Sequence, residues 1–308
     1  VNGMSTSMPV DVQERMIASI PGLEDAAMIR PGYAIEYDAV DARELWHSLE
    51  VKAIGGLFLA GQINGTSGYE EAGCQGLVAG INAARRIQGK SAVSIGRTEG
   101  YTGILIDDLV TKGTDEPYRM FTSRAEYRLH LRMDNADSRL TPLGREIGLV
   151  DGVRWERYQR KEAQKGRVLE FLSGTKRPGG SGESLLEWLR RPEAETREIE
   201  GSVAVALGEA PLREVVHSVV AELRYAGYVR QQDRHVERLL AAERRQVPAG
   251  FRFRSVPGLS REICEKLERV RPETLGQAGR IPGVTPAAIA VLDVYLSLSA
   301  GSGEAAAL

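Results

Sequence analysis

The most apolar run in the chain is the seven residues Ile54-Gly-Gly-Leu-Phe-Leu-Ala60, and it empties directly into a loop carrying Gly61, Gly65 and Gly68. A run this short suits a buried strand and falls well below the roughly 20 apolar residues that cross a bilayer. Beyond the loop, Ala72, Gly76, Ala79, Gly80 and Ala83 recur at spacings of three and four. That period predicts a helix from Tyr69 to about Arg86 with one smooth face. Glycines in such a loop let backbone N–H groups approach a ligand, and the helix start carries a partial positive charge suited to a phosphate or an anionic reduced flavin. Glu70 and Glu71 in the first turn oppose a bare phosphate unless they point away. A tight turn that only packs helix against strand fits the same spacing, and the pattern does not choose between the two.

The 308 residues are 42% hydrophobic and 27% charged, which is enough to build ordinary cores in more than one domain. Forty Lys and Arg against 42 Asp and Glu leave a net charge of -2, so a polyanion site has to be a local patch. Cys74 and Cys264 lie too far apart in sequence to form a CxxC pair, and His47, His130, His217 and His235 are scattered, so no metal site is expected. The cysteine usage fits a reducing cytoplasm. Neither a signal peptide nor a membrane span is expected, and Val1 in place of an initiator methionine suggests a cut N-terminus.

Helical periods dominate beyond Lys90. Tyr101, Ile104, Leu105, Asp108 and Leu109 share a face, Ser123 with Glu126 forms a capping-box pair, and Thr141-Pro142 reads as a helix start. A long polar helix is predicted from about Asp151 to Leu172, and another from Leu212 to Arg245, broken by Pro248-Ala-Gly250. Between them, Ser173 to Gly182 has the composition of a flexible linker. A repeat closes the chain: Val256-Pro-Gly-Leu-Ser260 with Ile263, then Ile281-Pro-Gly-Val-Thr285 with Ile289. In each copy a Pro-Gly turn feeds a Ser or Thr that can cap the next helix. The repeat suits either a helix-hairpin-helix grip on phosphates or a terminal bundle that docks on a partner.

The second chemical signal is the stretch from Pro117 to Arg132. Arg124, Arg128 and Arg132 lie four apart, which on a helix makes one ridge of guanidinium groups beside Tyr127. From 119 to 145 there are six arginines against three acids, and from 154 to 177 eight basic residues against three. Phosphate contacts need basic side chains on one face, and stacking of unpaired bases needs aromatics nearby. A solvated charged face with i,i+4 pairing fits the same composition. Cys74 lies in the small-residue stripe, and neither cysteine is expected to be catalytic.

The string AGQINGTSGYEEAGCQGLVAGINAAR, Ala60 to Arg85, resembles the late signature of the MnmG (GidA) family, flavin-dependent enzymes that modify the wobble uridine of certain tRNAs. STSMPVDVQ (Ser5 to Gln13), MIRPGYAIEYDAVD (Met28 to Asp41), EPYRMFTSRAEYRLHLRMDNADSRLT (Glu116 to Thr141), YAGYVRQQ (Tyr225 to Gln232) and PGVTPAAI (Pro282 to Ile289) resemble family segments in family order. Cys74 replaces an alanine usual in the signature. The resemblance covers this chain but only the C-terminal half of the family, without its GxGxxG turn, its nicotinamide-binding insertion and its catalytic cysteines.

The resemblance implies an α/β remnant of a two-part FAD/dinucleotide-binding fold followed by a mostly α-helical C-terminal domain. Four parts are expected: 1–90 as the end of the FAD-binding domain, 91–175 as a basic tRNA-facing region, 176–250 as a helical region after the linker, and 251–308 as a small bundle for partner docking. Gly61, Gln62, Ile63, Asn64, Gly65, Gly68 and Tyr69 would contact FAD, and Arg119, Arg124, Arg128, Arg132 and Arg139 would face tRNA. NADH would reduce the flavin, methylenetetrahydrofolate would give a one-carbon unit, and the GTPase MnmE would join in building a (carboxymethyl)aminomethyl group at uridine carbon 5. The family also implies a cytoplasmic homodimer, with the ring-activating nucleophile upstream of Val1. Alternatives are a non-enzymatic tRNA- or GTPase-binding module without flavin, and a generic FAD oxidoreductase. With the pyrophosphate turn outside the sequence, the chain purified alone is expected to be inactive and nearly colourless; a stoichiometric flavin absorbance spectrum would show otherwise.

Overall fold

A computed structural model describes residues 6–33, 35–180 and 182–302. The chain divides into two compact units, residues 1–39 and 40–308. In the first, helix α1 (Val10–Ala18) buries Gln13. The Gln13 amide accepts the Gly32 N–H at 2.8 Å and donates to the carbonyls of Gly32 and Met8 at 3.0 and 2.7 Å. One side chain thereby closes the loop that follows the helix.

The second unit opens on the apolar run, and here the expected strand is corrected. Glu50 and Phe58 form an antiparallel bridge, Leu59 N–H donates to Leu49 O, and Val51 N–H donates to Leu57 O. Residues 49–51 and 57–59 thus fold back on each other around Gly56, whose φ of +86° is open to glycine. Ile54 and Leu57 are exposed at the turn. A buried strand needs neighbours on both edges to satisfy its backbone, and among the described residues only isolated bridges occur. The observed architecture is therefore mostly helical, and the α/β part of the expected fold is not seen.

Helix α2 (Tyr69–Ile87) follows the glycine loop as expected, but its buried face is Glu71, Gln75, Val78, Ala79 and Asn82. Gly73, Gly76 and Gly80 face open space. Helix α3 (Tyr101–Lys112) is buried on every side from Gly103 to Thr111, which places Asp107 and Asp108 in the interior. Gly103 crosses residues 95 and 96 so closely that a Cβ would lie 2.2 Å from Gly96 O.

Helix α4 (Ala136–Glu146) contains Pro142 in its interior, so Thr141 is not the expected cap. Helix α5 (Gly152–Gly174) starts where Asp151 accepts the Arg154 N–H. The segment after it is tied down where the composition suggests flexibility. Lys176 bridges Ser184, Leu185 N–H donates to Thr175 O, and a capping box of Ser184 and Glu187 starts helix α6 (Leu185–Leu189). Helices α7 (Arg197–Leu207) and α8 (Arg213–Arg244) complete this layer. One apolar core runs through it, from Val168 and Leu172 before the Gly/Pro loop to Leu189, Val203 and Val219 after it.

The closing repeat behaves as its turns dictate. Gly258 and Gly283 adopt φ of +90° and +86°, Ser260 caps helix α9 (Arg261–Val270), and Thr285 accepts the Ala288 N–H at the start of helix α11 (Pro286–Ser302). Between them lies helix α10 (Leu275–Arg280). Phe253, Leu267 and Leu292 centre a separate apolar core. Among the described residues no helix is long and apolar enough to cross a membrane. Leu172 has no exposed surface, so Leu172→Ala is expected to cost about 2–5 kcal/mol, read as a lowered urea midpoint.

Candidate functional site

The glycine loop is a short 3-10 turn over Gly61–Asn64, with Gly65 in the left-handed region at φ 78°. Its inward groups hold the loop together. Gln75 Oε1, from α2, accepts the Gly61 N–H at 3.0 Å and an Asn64 Nδ2 hydrogen at 2.9 Å, and Asn64 also donates to Leu59 O at 2.8 Å. Asn64 and Gln75 are fully buried, and Asn64 Oδ1 and Gln75 Nε2 have no hydrogen-bond partner among the described residues. Gln62, Ser67 and Tyr69 face outward, Tyr69 at 94% exposure. Of the residues expected at the cofactor, Gln62 and Tyr69 lie at the surface, Ile63 and Gly65 are half-buried, and Gly61, Asn64 and Gly68 turn inward.

The loop and the arginine-rich stretch, about 50 residues apart in sequence, are bonded to each other. Thr66 pairs with Tyr118 in a parallel bridge, its hydroxyl donates to Tyr118 O at 3.0 Å, and Tyr118 N–H donates to Gly65 O at 2.8 Å. Glu71 closes the joint: its carboxylate accepts the Met120 N–H at 2.9 Å and lies 3.5 Å from Arg119. The Met120 N–H holds the Glu71 carboxyl below the usual carboxylate range, against the effect of burial. Glu71 is thus held between the Gly68 end of the loop and the Met120 backbone. A Cβ on Gly68 would lie 1.6 Å from the Glu71 carboxylate, so a larger residue there would displace that carboxylate.

The arginines do not form the expected helical ridge. Residues 122–124 make a 3-10 turn capped without a side chain, which also removes the Ser123 capping box, and residues 126–130 run through turns. Arg124 folds back over the Tyr118 ring at 4.4 Å and donates to Arg119 O. Arg132 makes a two-pronged bond to Asp134 and stacks over Tyr225 at 5.6 Å. Arg139 donates to Asn135 Oδ1 and to the carbonyls of Arg132 and Glu99. Arg132 and Arg139 therefore brace the fold, whereas Arg119, Arg124 and Arg128 are exposed.

What holds this surface is a buried charge cluster. Arg97, 3% exposed, donates to Asp107 at 2.9 Å, Asp108 at 2.8 Å and Glu126 at 2.5 Å, and the Tyr118 hydroxyl donates to Asp108 at 2.9 Å. Arg280 clasps Asp107 with two nitrogens at 2.7 Å. His47 lies 3.1 Å from both Asp107 and Glu273. Burial acts to raise the Asp107 pKa, yet His47 and Arg280 outweigh it and hold this carboxyl far below its usual range. Burial likewise opposes the His47 charge, but its bonds to Asp107 and Glu273 win and raise its pKa. Sequence periodicity puts Asp108 on an apolar face without a partner; the signal available was the Asp pair inside the otherwise apolar ILIDDLV.

A cleft of about 930 Å³, with no glycine-loop residue in its lining, lies between Trp46, Glu50, Val93, Phe251, Phe253 and Glu273. Its carboxylates already have cations: Glu50 with Arg86, Glu268 with Arg254, Glu273 with His47. Cys74 is half-buried, and burial pushes its thiol up; Cys264 is buried in the C-terminal helices. Among the described residues no group of His, Cys, Asp and Glu could hold a metal ion. A raised His47 pKa contributes stability in full below its ordinary 6.5 and loses it as pH rises through the folded value. His47→Gln is therefore expected to cost most stability below pH 6.5, with the gap to the parent narrowing as pH rises, measured as urea midpoints across pH 5.5 to 9 (roughly the span in which histidine titrates).

Three family models match the chain. One described as glucose inhibited division protein A matches residues 1–91, one described as the tRNA modifying enzyme MnmG/GidA C-terminal helical domain matches 153–233, and one described as the MnmG/GidA C-terminal helical bundle matches 235–307. Two solved structures of Aquifex aeolicus GidA, in crystal forms II and I, are 43% and 45% identical to it, with TM-scores of 0.80 and 0.78. The matches cover 95% and 94% of this chain but 48% and 47% of those chains, so it spans about half the length of these relatives. With the sequence segments, the helical domains and the fold all in agreement, the chain belongs to the MnmG/GidA family of tRNA-modifying enzymes.

Proposed function

We propose that the chain supplies the C-terminal half of a flavin-dependent enzyme that, with the GTPase MnmE, installs a (carboxymethyl)aminomethyl group at carbon 5 of the wobble uridine of tRNA. The observation that carries this reading is the joint between the glycine loop and the arginine stretch. Thr66 with Tyr118 and Glu71 with Met120 put a cofactor-type loop and a nucleic-acid-type surface side by side. A redox cofactor that acts on a base has to meet the polynucleotide at such a border.

The loop residues fit a flavin. Gly61 and Gly65 take left-handed conformations, one Glu71 oxygen is engaged by the Met120 N–H, and two buried amide atoms, Asn64 Oδ1 and Gln75 Nε2, are left without partners beneath the loop. Gly61, Gln62, Ile63, Asn64, Gly65, Gly68 and Tyr69 would hold FAD, the Gln62 amide hydrogen-bonding it without adding negative charge. A flavin bound there would supply redox chemistry, with NADH as its reductant and methylenetetrahydrofolate as the source of the one-carbon unit. The protein's own part is to fix the loop through Gln75 and Asn64 and to present Arg119, Arg124 and Arg128 to phosphates. Arg132 and Arg139 support that surface from behind through Asp134, Asn135 and backbone carbonyls. The C-terminal helices would dock MnmE, and the assembly would be a homodimer working in the cytoplasm.

Arg128 is exposed and pairs with no acid among the described residues, so it is the arginine best placed to report phosphate contact. Arg128→Ala is expected to weaken tRNA binding and to lower the slope of log affinity against log salt by about one. A filter-binding titration from low to moderate salt measures both, and an unchanged slope would count against the reading.

A further inference from the structure

We infer that Phe121 is a stacking platform for an unpaired base of the bound RNA, an inference that rests on the tRNA reading above. Phe121 holds its ring 60% exposed within a stretch of charged side chains. On nucleic-acid-binding surfaces, exposed aromatic rings are covered by unstacked bases.

The backbone that carries this ring is fixed on both sides. Before it, the Met120 N–H is bound by Glu71. After it, Arg124 N–H donates to Phe121 O at 3.0 Å. The two cationic neighbours that could have folded over the ring are engaged elsewhere. Arg124 lies over Tyr118 and donates to Arg119 O, and Arg119 reaches toward Glu71. Phe121 is thus held outward by a braced turn, which lowers the entropy cost of stacking on it. The Glu71 to Met120 bond also sets the first turn of α2 beside this turn, and with it the exposed Tyr69.

Charge decides the class of occupant. Glu71 is buried beside Arg119 and Glu126 is bonded to Arg97, which leaves Arg124 and Arg128 as exposed arginines of this stretch with no acid partner among the described residues. An exposed ring among guanidinium groups suits single-stranded nucleic acid, in which phosphates meet cations while an unstacked base meets the ring. Duplex RNA keeps its bases stacked internally and offers the ring nothing. The site therefore distinguishes an unpaired nucleotide from a paired one.

The test uses the full chain with Phe121→Ala, Phe121→Trp and Arg128→Ala, and three RNAs: a tRNA transcript, a single-stranded oligouridylate and a blunt RNA duplex. Phe121→Ala is expected to weaken oligouridylate and tRNA binding roughly 5- to 150-fold, as loss of one stacked base does. Duplex binding, the salt slope and the melting temperature stay at parent values, and Phe121→Trp restores binding. Parent-like oligouridylate binding by Phe121→Ala, an equal loss on duplex, or a changed salt slope each overturns the stacking role. If those results come with a normal Arg128→Ala slope change, the tRNA reading stands without it. Failure of the parent chain to bind any of the three RNAs overturns both.

Discussion

Much of the second unit hangs on Arg97 and the two aspartates it holds on α3. A guanidinium and two carboxylates in the interior would be expensive to desolvate singly, and removing one member of such a set strands the others at a cost of about 3–5 kcal/mol. Here each has several partners. Arg97 reaches Asp107, Asp108 and Glu126, Asp108 also takes Lys112 and the Tyr118 hydroxyl, and Asp107 also takes His47 and Arg280. The cluster fixes the arginine stretch on one side and the C-terminal helices on the other. It also explains why α3 can be buried all round while carrying adjacent acids.

Glu71 plays a comparable part at smaller scale. In the first turn of a helix a glutamate normally complements the helix dipole. This one instead spends its carboxylate on Met120 N–H and lies beside Arg119, tying the glycine loop to a segment about 50 residues away. The chemistry proposed for the chain depends on that tie, because cofactor and polynucleotide have to meet at one border.

Several elements with local signals were legible in the sequence, although the Ser123 capping box and the Thr141-Pro142 start were not realised. The helical spacing of α2, though not its smooth face, the start of α5 near Asp151 and the Pro-Gly-Ser and Pro-Gly-Thr starts of the last helices all work through residues within one or two turns. Elements that depend on distant partners were not. The Ile54 to Ala60 run is apolar enough for a strand, but its backbone pairs with residues 49–51 and turns at Gly56. The spacing of Arg124, Arg128 and Arg132 suits a helix, yet Arg97 takes Glu126 while Asp134 takes Arg132, and the chain between them turns. Of the candidate site, the glycine loop and the arginines could be read from spacing; their adjacency could not, since nothing local to either announces Thr66 with Tyr118.

The His47 contacts have a mechanical consequence. Residues 40–112 and the C-terminal helices keep separate apolar cores, one around Leu49 and Ile106, the other around Phe253 and Leu292. They meet through His47 with Glu273, Asp107 with Arg280, Asp41 with Arg269, and Lys52 on the Val270 carbonyl. Oil-like adhesion tolerates sliding, whereas paired charges and directed hydrogen bonds tolerate almost none. The seam therefore sets the angle between the two cores through directed bonds more than through apolar contact.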